Sequence, residues 1–381
     1  MFSILRPYIF SLDPEVAHDL AIKSLKANFL PKSFFGVENE EMLETSLLGK
    51  TILNPIGLAA GFDKSAEVYN SLFKFGFGFV EVGTITPKQQ LGNPKPRIFR
   101  LEKDQALINR LGFNNHGSET VSKRISNNFP DGFLGINIGP NKDTKNKADD
   151  YYICLSRLAA YAGYITINIS SPNTEGLRNF HDQEEMKKLL SGINRVIKEK
   201  KINCPIALKI SPDINDNEIS RIVDLTSSHK IQGIVVSNTT DSNRDNLLDI
   251  KKHETGGLSG QPLKDISTNL IKKFYKETKG KIKIIGVGGV DSGKSAFEKI
   301  IAGADAIQLY TGMVYKGPGI VKEIKKELIS ILKKDIKLNV ANAALRTVDF
   351  KGGLDKYLIS AKNAKLSKKV KKIKASISAK S

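Results

Sequence analysis

Side chains that could bind a flat polar ligand follow short apolar runs in this 381-residue chain. Four asparagines, Asn109, Asn168, Asn173 and Asn238, carry amides that can hydrogen-bond a planar heterocycle with alternating N–H and C=O groups. Each asparagine alone is more typical of a turn, so it is their arrival at one place that matters. Lys64 follows a stretch of small residues that would let such a ligand approach the backbone, and it offers a positive charge beside it. Together these residues predict a site for a planar polar ring.

Two glycine-containing segments, Gly286-Val287-Gly288-Gly289 and Tyr310-Thr311-Gly312, follow the last two apolar runs. Their backbone N–H groups could bind an anion such as a phosphate. A glycine cluster alone is typical of a tight turn. The position of these segments after the seventh and eighth of eight runs favours a phosphate site.

Several other chemistries lack the residues that they require. No pair of carboxylates stands at matched run ends, as glycoside hydrolysis needs, and the five histidines have no ligand spacing, so no catalytic metal is expected. Cys154 and Cys204 are too few for a disulfide framework or a four-cysteine metal site, and they fit a reducing compartment. No apolar run reaches the roughly 18 to 20 residues that cross a membrane.

The elements that must position these residues repeat a pattern of apolar run, polar loop and helical periodicity. The runs are continuous rather than alternating, which is typical of strands covered on both faces. Eight such units predict an α/β fold of the TIM (β/α)8 barrel type over residues 46–334, with a doubly wound open sheet as the alternative. Residues 88–117 hold two further short runs, which predict a hairpin lid. The eight runs are Ile56–Ala60, Phe79–Ile85, Leu134–Ile138, Tyr164–Ser170, Pro205–Ile210, Gly233–Ser237, Ile282–Val287 and Ala306–Tyr310.

Residues 1–45 predict an apolar cap of two helices before the barrel. Asp13-Pro14-Glu15 is an N-terminal capping signature, and it opens a helix with an apolar face formed by Val16, Leu20, Ile22 and Leu25. The cap is either a helical bundle packed on the barrel or the access route of a hydrophobic ligand.

Residues 335–381 form a lysine-rich C-terminal extension. From residue 333 onward, 14 Lys and Arg face three Asp, so the tail region carries +11 of the net charge of +19 and the body is only mildly basic. The spacing of Ile359, Leu366, Val370, Ile373 and Ile377 predicts a basic amphipathic helix that suits an anionic membrane surface. A solvated disordered tail is the other interpretation.

Long motifs in colinear order resemble the dihydroorotate dehydrogenases, most closely their membrane-associated, quinone-reducing class (class 2). The resemblance covers about residues 1–330. It implies oxidation of dihydroorotate to orotate in pyrimidine biosynthesis, with FMN as cofactor and a membrane quinone as acceptor. It also implies a monomer that lies peripherally on the cytoplasmic face of the cell membrane, without a nucleic-acid partner. The motifs are Ala59–Lys64, Asn109–Asn115, Gly135–Gly139, Asn168–Asn173, Ser237–Thr240, Thr255–Gly260 and Gly286–Gly289.

The same resemblance implies roles for individual residues. Ser171 matches the catalytic base, whereas the soluble class uses a cysteine that neither Cys154 nor Cys204 can replace. His18, Arg100 and also Tyr310 match the quinone passage. The implied FMN-binding residues are Ala60, Gly61, Phe62, Asp63, Lys64, Thr84, Asn137, Asn168, Lys209, Ser237, Gly260, Gly289, Tyr310 and Thr311. The implied substrate-binding residues are Lys64, Asn109, Arg110, Leu111, Gly112, Phe113, Asn168, Asn173, Asn238 and Thr239.

Two other functions compete with this interpretation. An FMN barrel that reduces uridine in tRNA would fit the positive charge, but it would need a cysteine acid at the mouth and a basic body. A nucleic-acid or membrane binding protein with the barrel as scaffold would rest on the lysine-rich tail alone. Beyond Tyr357 that tail has no aromatic residue that could stack on bases.

Overall fold

The computed structural model describes residues 2–27, 41–174, 176–242 and 244–333. The chain divides into two compact units, residues 1–326 and 327–381. Of the second unit the described residues, 327–333, are helical, and the predicted extension 335–381 lies outside the described residues. The first unit contains the strands and the candidate site.

The strands and helices alternate along most of the chain. The strands are β1 (Thr45–Leu47), β2 (Lys50–Ile52), β3 (Ile56–Leu58), β4 (Phe79–Ile85), β5 (Ile98–Leu101), β6 (Ala106–Asn109), β7 (Phe133–Ile138), β8 (Tyr164–Asn168), β9 (Ile206–Lys209), β10 (Gly233–Val236), β11 (Gly257–Gly260), β12 (Lys283–Val287) and β13 (Ala306–Leu309). The helices are α1 (Phe2–Ser11), α2 (Pro14–Lys26), α3 (Tyr69–Phe73), α4 (Ser118–Asn127), α5 (Lys147–Leu158), α6 (Gln183–Lys200), α7 (Asp216–Ser228), α8 (Lys264–Thr278), α9 (Gly293–Ile301) and α10 (Thr311–Lys316), and residues 320–333 are also helical.

Eight strands close into a parallel barrel in the order β3-β4-β7-β8-β9-β10-β12-β13, and β13 pairs with β3. Each of the eight predicted runs overlaps one of these strands, with ends that agree within two residues. The predicted (β/α)8 barrel is therefore confirmed, and the open sheet is wrong. Closure places the carboxyl ends of all eight strands at one mouth, where the loops that follow them meet.

The opposite end of the barrel is filled by aromatic rings and by the β1–β2 hairpin. Phe79 and Tyr164 are fully buried there together with Leu47. Two glycines make room for the rings, because a Cβ on Gly57 would lie 2.3 Å from Phe79 and one on Gly135 would lie 2.2 Å from Tyr164. Because buried side chains fill this end, a ligand would enter the barrel from the mouth.

A three-stranded antiparallel sheet lies beside the mouth. The predicted hairpin within residues 88–117 is present as β5 and β6, but β11 pairs with β6 as a third strand. The sequence of β11, Gly-Leu-Ser-Gly, is short and bounded by glycines, so nothing in its pattern distinguishes it from a loop. Tertiary pairing alone makes this segment a strand.

Helices α1 and α2 precede the barrel. Asp13 caps α2 as predicted, and its carboxylate accepts from the backbone N–H groups of Glu15 and Val16. The predicted apolar face is only half correct: Ile22 and Leu25 are buried, whereas Val16 and Leu20 are 48% and 47% exposed. No helix in the described ranges is both long and apolar enough to cross a membrane.

Candidate active site

A cavity with an empty volume of about 1170 Å³ opens at the carboxyl ends of the barrel strands. Residues at or just after the ends of seven of the eight barrel strands line it, and the β5–β6–β11 sheet forms a further wall. Because the strand backbones are fixed by the barrel, side chains at these ends are held in place before any ligand arrives.

Most of the residues that the sequence predicts for the site line this cavity. They are Ala60, Gly61, Lys64, Thr84, Asn109, Leu111, Gly112, Phe113, Asn168, Ser171, Asn173, Lys209, Ser237, Asn238, Thr239, Gly260, Gly289, Tyr310 and Thr311. Neither cysteine is among the lining residues, and Cys154 lies buried in α5, where its thiol donates to the carbonyl of Ile85. A thiol is therefore not placed to act at the mouth.

Four predicted site residues do not line the cavity, and each has another role. Asp63 accepts from the backbone N–H groups of Glu67 and Val68, so it fixes the loop after β3. Phe62 packs edge-on against the rings of His18 and Tyr310 on another face.

Arg110 and Asn137 are the other two predicted residues that do not line the cavity. Arg110 pairs with Glu254 at 2.9 Å and stacks over Phe99. Asn137 is fully buried, and it hydrogen-bonds Thr84 and Glu81 beside the cavity.

Below the mouth, amide and hydroxyl groups hold one another in a fixed arrangement. Thr84 Oγ1 donates to Asn137 Oδ1 at 2.6 Å, and Asn168 Nδ2 lies within 3.2 Å of both of those oxygens. Asn238 Nδ2 in turn donates to Ser170 Oγ at 2.9 Å and lies 3.3 Å from Asn168 Oδ1. These mutual bonds fix which way each amide points, so the mouth is preorganised for a ligand with a defined pattern of donors and acceptors.

Glu81 anchors this network from inside the barrel, and the sequence analysis missed it. Its carboxylate accepts from Asn137 Nδ2 at 2.8 Å, from the Tyr164 hydroxyl at 2.8 Å and from Gln308 Nε2 at 2.9 Å. A buried charge must be satisfied in this way. The available signal was a single acid inside the otherwise apolar run Phe79–Ile85.

Two buried ammonium groups supply positive charge at the cavity. Burial lowers the pKa of Lys209, and the carboxylate of Glu81 acts in the opposite direction. Burial also lowers the pKa of Lys64 to about 8, although the charges of Glu15 and Asp19 partly oppose this. Both lysines are therefore suited to stabilise negative charge that a ligand brings or develops.

Ser171 lies on the loop after β8, where it is buried against the cavity. Its Oγ accepts from the backbone N–H of Asn173 at 3.2 Å, and Asn173 Nδ2 donates to the carbonyl of Asn109 at 3.0 Å. The serine loop is thus attached to the β5–β6–β11 sheet. Ser171 lines the cavity, so its hydroxyl is a candidate for proton exchange with a ligand there.

The cavity wall also has features that suit a large bound group with a phosphate. Gly288 and Gly289 line it with φ of +120° and +69°, and a Cβ on Gly289 would lie 2.5 Å from Lys264. Two lining acceptors, Gln308 Oε1 and Asn114 Oδ1, are buried without a hydrogen-bond partner among the described residues. Such orphaned acceptors fit a ligand that donates hydrogen bonds.

A second cavity, which we call the apolar cleft, has an empty volume of about 1610 Å³ and runs between α1, α2 and the barrel. Its walls are mostly apolar side chains, and it shares Ile98, Leu107 and Tyr310 with the first cavity. The predicted quinone-site residues His18 and Arg100 both line the cleft. The two cavities therefore meet at Tyr310.

The polar groups of the cleft are held by backbone carbonyls. Arg100 donates to the carbonyls of Phe10 and Leu12 at 3.1 and 2.8 Å. His18 Nε2 lies 2.8 Å from the carbonyl of Phe62 and 3.4 Å from Lys64 Nζ. Burial, together with the charge of Lys64, lowers the pKa of His18 to about 4, so its ring is neutral at pH 7.

The fold and the site define a (β/α)8-barrel enzyme with its reaction centre at the carboxyl ends of the strands. The family model described as dihydroorotate dehydrogenase matches residues 42–332, and the chain belongs to this family.

Similar proteins agree over most of the chain. A protein of Bartonella tribocorum named dihydroorotate dehydrogenase (quinone) is 45% identical over 87% of this chain and 92% of its own. One of the same name from Idiomarina loihiensis is 43% identical over 86% of this chain and all of its own. The solved structure of DHODH from Eimeria tenella in complex with ferulenol has 40% identity and a TM-score of 0.82, and it covers 90% of this chain and 96% of its own.

Proposed function

We propose that this chain oxidises dihydroorotate to orotate with bound FMN and passes the electron pair to a membrane quinone, in pyrimidine biosynthesis. The observation that carries the proposal is the meeting of two unlike cavities at Tyr310, one lined with amides and lysines and the other with apolar side chains. A polar ring and a hydrophobic acceptor can then approach the same place from different sides.

FMN suits the barrel mouth. Lys209, Ser237, Gly288, Gly289 and Thr311 would hold it, and the orphaned acceptor of Gln308 is available to a ring N–H. When bound, FMN supplies a two-electron acceptor for hydride. Lys209 lies buried at the cavity, so its ammonium group would offset negative charge that develops on the ring system.

The remaining lining residues are available to the substrate. Lys64 would pair with the carboxylate of dihydroorotate, and the amides of Asn109, Asn173 and Asn238 would fix its ring. Oxidation breaks a C–H bond at each of two adjacent ring carbons, C5 and C6. Ser171 Oγ would take the proton of C5, and bound FMN would supply the acceptor for the hydride of C6, so that orotate forms.

Serine is a weak base, so Ser171 must pass its own proton onward. Thr174, buried three residues later on the same loop, is our candidate for this relay. The negative charge that accumulates on the substrate while the proton leaves is met by Lys64.

The N-terminal helices suit a quinone and a membrane surface. Side chains of α1 and α2, and Leu12 between them, expose apolar groups to solvent, and the apolar cleft lies between these helices and the barrel. We propose that this face contacts the membrane peripherally, on its cytoplasmic side, so that a quinone can enter the cleft from the lipid. The exposed side chains are Ile4, Leu5, Tyr8, Leu12, Val16 and Leu20.

Colour and bleaching test the proposal. The full-length protein, purified or reconstituted with FMN, should be yellow and should bleach without oxygen when dihydroorotate is added. Colour should return with a short-chain quinone but not with fumarate or NAD. Protein that binds no flavin after reconstitution, or a flavin spectrum that dihydroorotate leaves unchanged, would contradict the function. Recovery with NAD or fumarate instead of quinone would contradict only the acceptor.

A further inference from the structure

An ion-pair cluster outside the cavity joins three of the loops at the mouth. Arg178 Nη1 lies 3.0 and 3.1 Å from the two carboxylate oxygens of Asp241, and Arg178 Nη2 lies 3.0 Å from Asp213 Oδ2. The other oxygen of Asp213 accepts from the hydroxyls of Thr240 and Ser242. We call Arg178, Asp213 and Asp241 the Arg178 cluster.

Each member of the Arg178 cluster belongs to a loop that carries cavity residues. Arg178 follows Ser171 on the loop after β8, in a short 3₁₀ helix over Leu177–His181. Asp213 follows Lys209 after β9, and Asp241 follows Asn238 and Thr239 after β10. None of the three lines the cavity, so the cluster can act on a ligand only through the residues that do.

The cluster is suited to hold geometry. A planar guanidinium that meets two carboxylates has fewer free arrangements than a lysine would have at the same place. Partial burial acts to raise the pKa of Asp241, but its hydrogen bonds and charge interaction with Arg178 lower it overall. The side chains of Arg178, Asp213 and Asp241 are 28%, 19% and 50% exposed, so the interaction is open to screening by salt.

The end of the same 3₁₀ helix is fixed by a neutral histidine. His181 Nε2 accepts from the backbone N–H of Ser211 at 3.3 Å, so Nδ1 carries the proton that it donates to the carbonyl of Arg178 at 3.1 Å. Burial lowers the pKa of His181, which favours this neutral form. Arg178 and His181 together attach the β8 loop to the loop after β9, on the side opposite its contact with Asn109.

We propose that Arg178 is a positioning residue: by joining Asp213 and Asp241 it holds the loop that carries Ser171 at the distance from the substrate that proton transfer requires. The inference rests on the proposed function, because the proton of dihydroorotate is the one transferred. A displacement of about 1 Å at a reacting group slows a reaction by up to about 100-fold, so the effect is measurable.

The test is the rate of flavin reduction by saturating dihydroorotate in the FMN-loaded, full-length protein. Arg178→Ala should slow it about 10- to 100-fold, while flavin content is kept and the melting temperature falls by no more than about 4 °C. Arg178→Lys should recover part of the rate, because an ammonium can still pair with one carboxylate. Asp241→Asn should be intermediate, and adding it to Arg178→Ala should slow the reaction no further.

The dependence of the flavin-reduction rate on salt concentration distinguishes a positioning role from a purely structural one. Raising the ionic strength should slow flavin reduction in the wild-type protein and leave the rate of Arg178→Ala unchanged. Lys188→Ala is the matched control, since it removes an exposed 2.9 Å pair with Glu185 on α6 and should keep both the rate and its salt dependence.

Three outcomes would overturn the inference: a wild-type rate in Arg178→Ala, equal loss without rescue in Arg178→Lys, or additive losses with Asp241→Asn. If Arg178→Ala does not fold, Arg178→Lys and Asp241→Asn decide by the same criteria. Failure of the proposed function is distinct, because then dihydroorotate would not reduce the wild-type protein at all.

Discussion

The two cavities of this molecule are built in opposite ways. The barrel mouth is lined by amides, hydroxyls and lysines at strand ends, and a buried acid, Glu81, fixes the network beneath them. The apolar cleft is formed mainly by two short helices, and its polar groups Arg100 and His18 face backbone carbonyls. Recognition of a polar ring needs fixed dipoles, whereas binding of a hydrophobic chain needs only apolar surface area.

The two regions also differ in how they are attached to the protein. Most residues of the mouth lie at the ends of strands of the closed barrel, whose eight strands are mutually hydrogen-bonded. Helix α2 is held by separate contacts, among them the bidentate pair of Glu15 with Arg97 at 2.7 and 3.1 Å. Substitutions in the cleft should therefore leave flavin reduction at the mouth unchanged. Substitutions at the mouth should in turn leave reoxidation by quinone unchanged.

The largest effect should follow Ser171→Ala. Without a proton acceptor, reduction of the bound flavin by dihydroorotate should slow by about 10²–10⁴-fold, measured by stopped-flow absorbance without oxygen. Orotate should still bind, because the lysine and amides that would hold it remain. Reoxidation of dithionite-reduced protein by quinone should keep its wild-type rate. A normal reduction rate would exclude Ser171 as the base, and a slowed reoxidation would show that the two regions are not separable.

A smaller effect on the opposite side should follow Leu20→Asp. A carboxylate in the cleft must lose water when a hydrophobic tail enters, so KM for a long-chain quinone should rise about tenfold or more. Flavin reduction by dihydroorotate should be unchanged. Ile301→Asp, at a solvent-exposed position on α9, is the control. An unaltered KM for long-chain quinones in Leu20→Asp would mean that they do not use this cleft.

The smallest expected effect is a fall of kcat/KM for dihydroorotate at high pH. In the proposed function the carboxylate of dihydroorotate pairs with the charged form of Lys64, and burial lowers the pKa of that lysine to about 8. As the pH rises through this value the charge is lost, so kcat/KM for dihydroorotate should fall about tenfold per pH unit above it. Binding of the anion favours the charged lysine, so kcat should decline at higher pH than kcat/KM. Reoxidation by quinone should stay level across the same range. A kcat/KM profile that stays flat well above pH 8 would exclude pairing with Lys64.

The barrel and the chemical types at its strand ends could be predicted from local pattern, whereas the roles of individual site residues were implied by the family resemblance. A continuous apolar run between helical segments can bury both faces only as a strand in a covered parallel sheet, and the residue after such a strand must lie at the mouth. For that reason Lys64, Asn168 and Ser171 could be expected near the mouth without knowledge of any distance, and all three line the cavity. Phe62 and Asp63 do not line the cavity although Lys64 does, because neighbouring residues of one loop turn to different sides, and only the backbone path decides which.

What the sequence by itself determined is the order of elements and the chemical types that arrive at the strand ends. The tertiary structure decided which distant groups share a partner. Glu81 meets Gln308 only because the barrel closes, β11 is a strand only because β6 lies beside it, and Arg178 meets Asp213 and Asp241 only because three loops converge. The physical reason is that a periodic pattern records which face of an element is buried, while a contact between remote residues leaves no local periodicity.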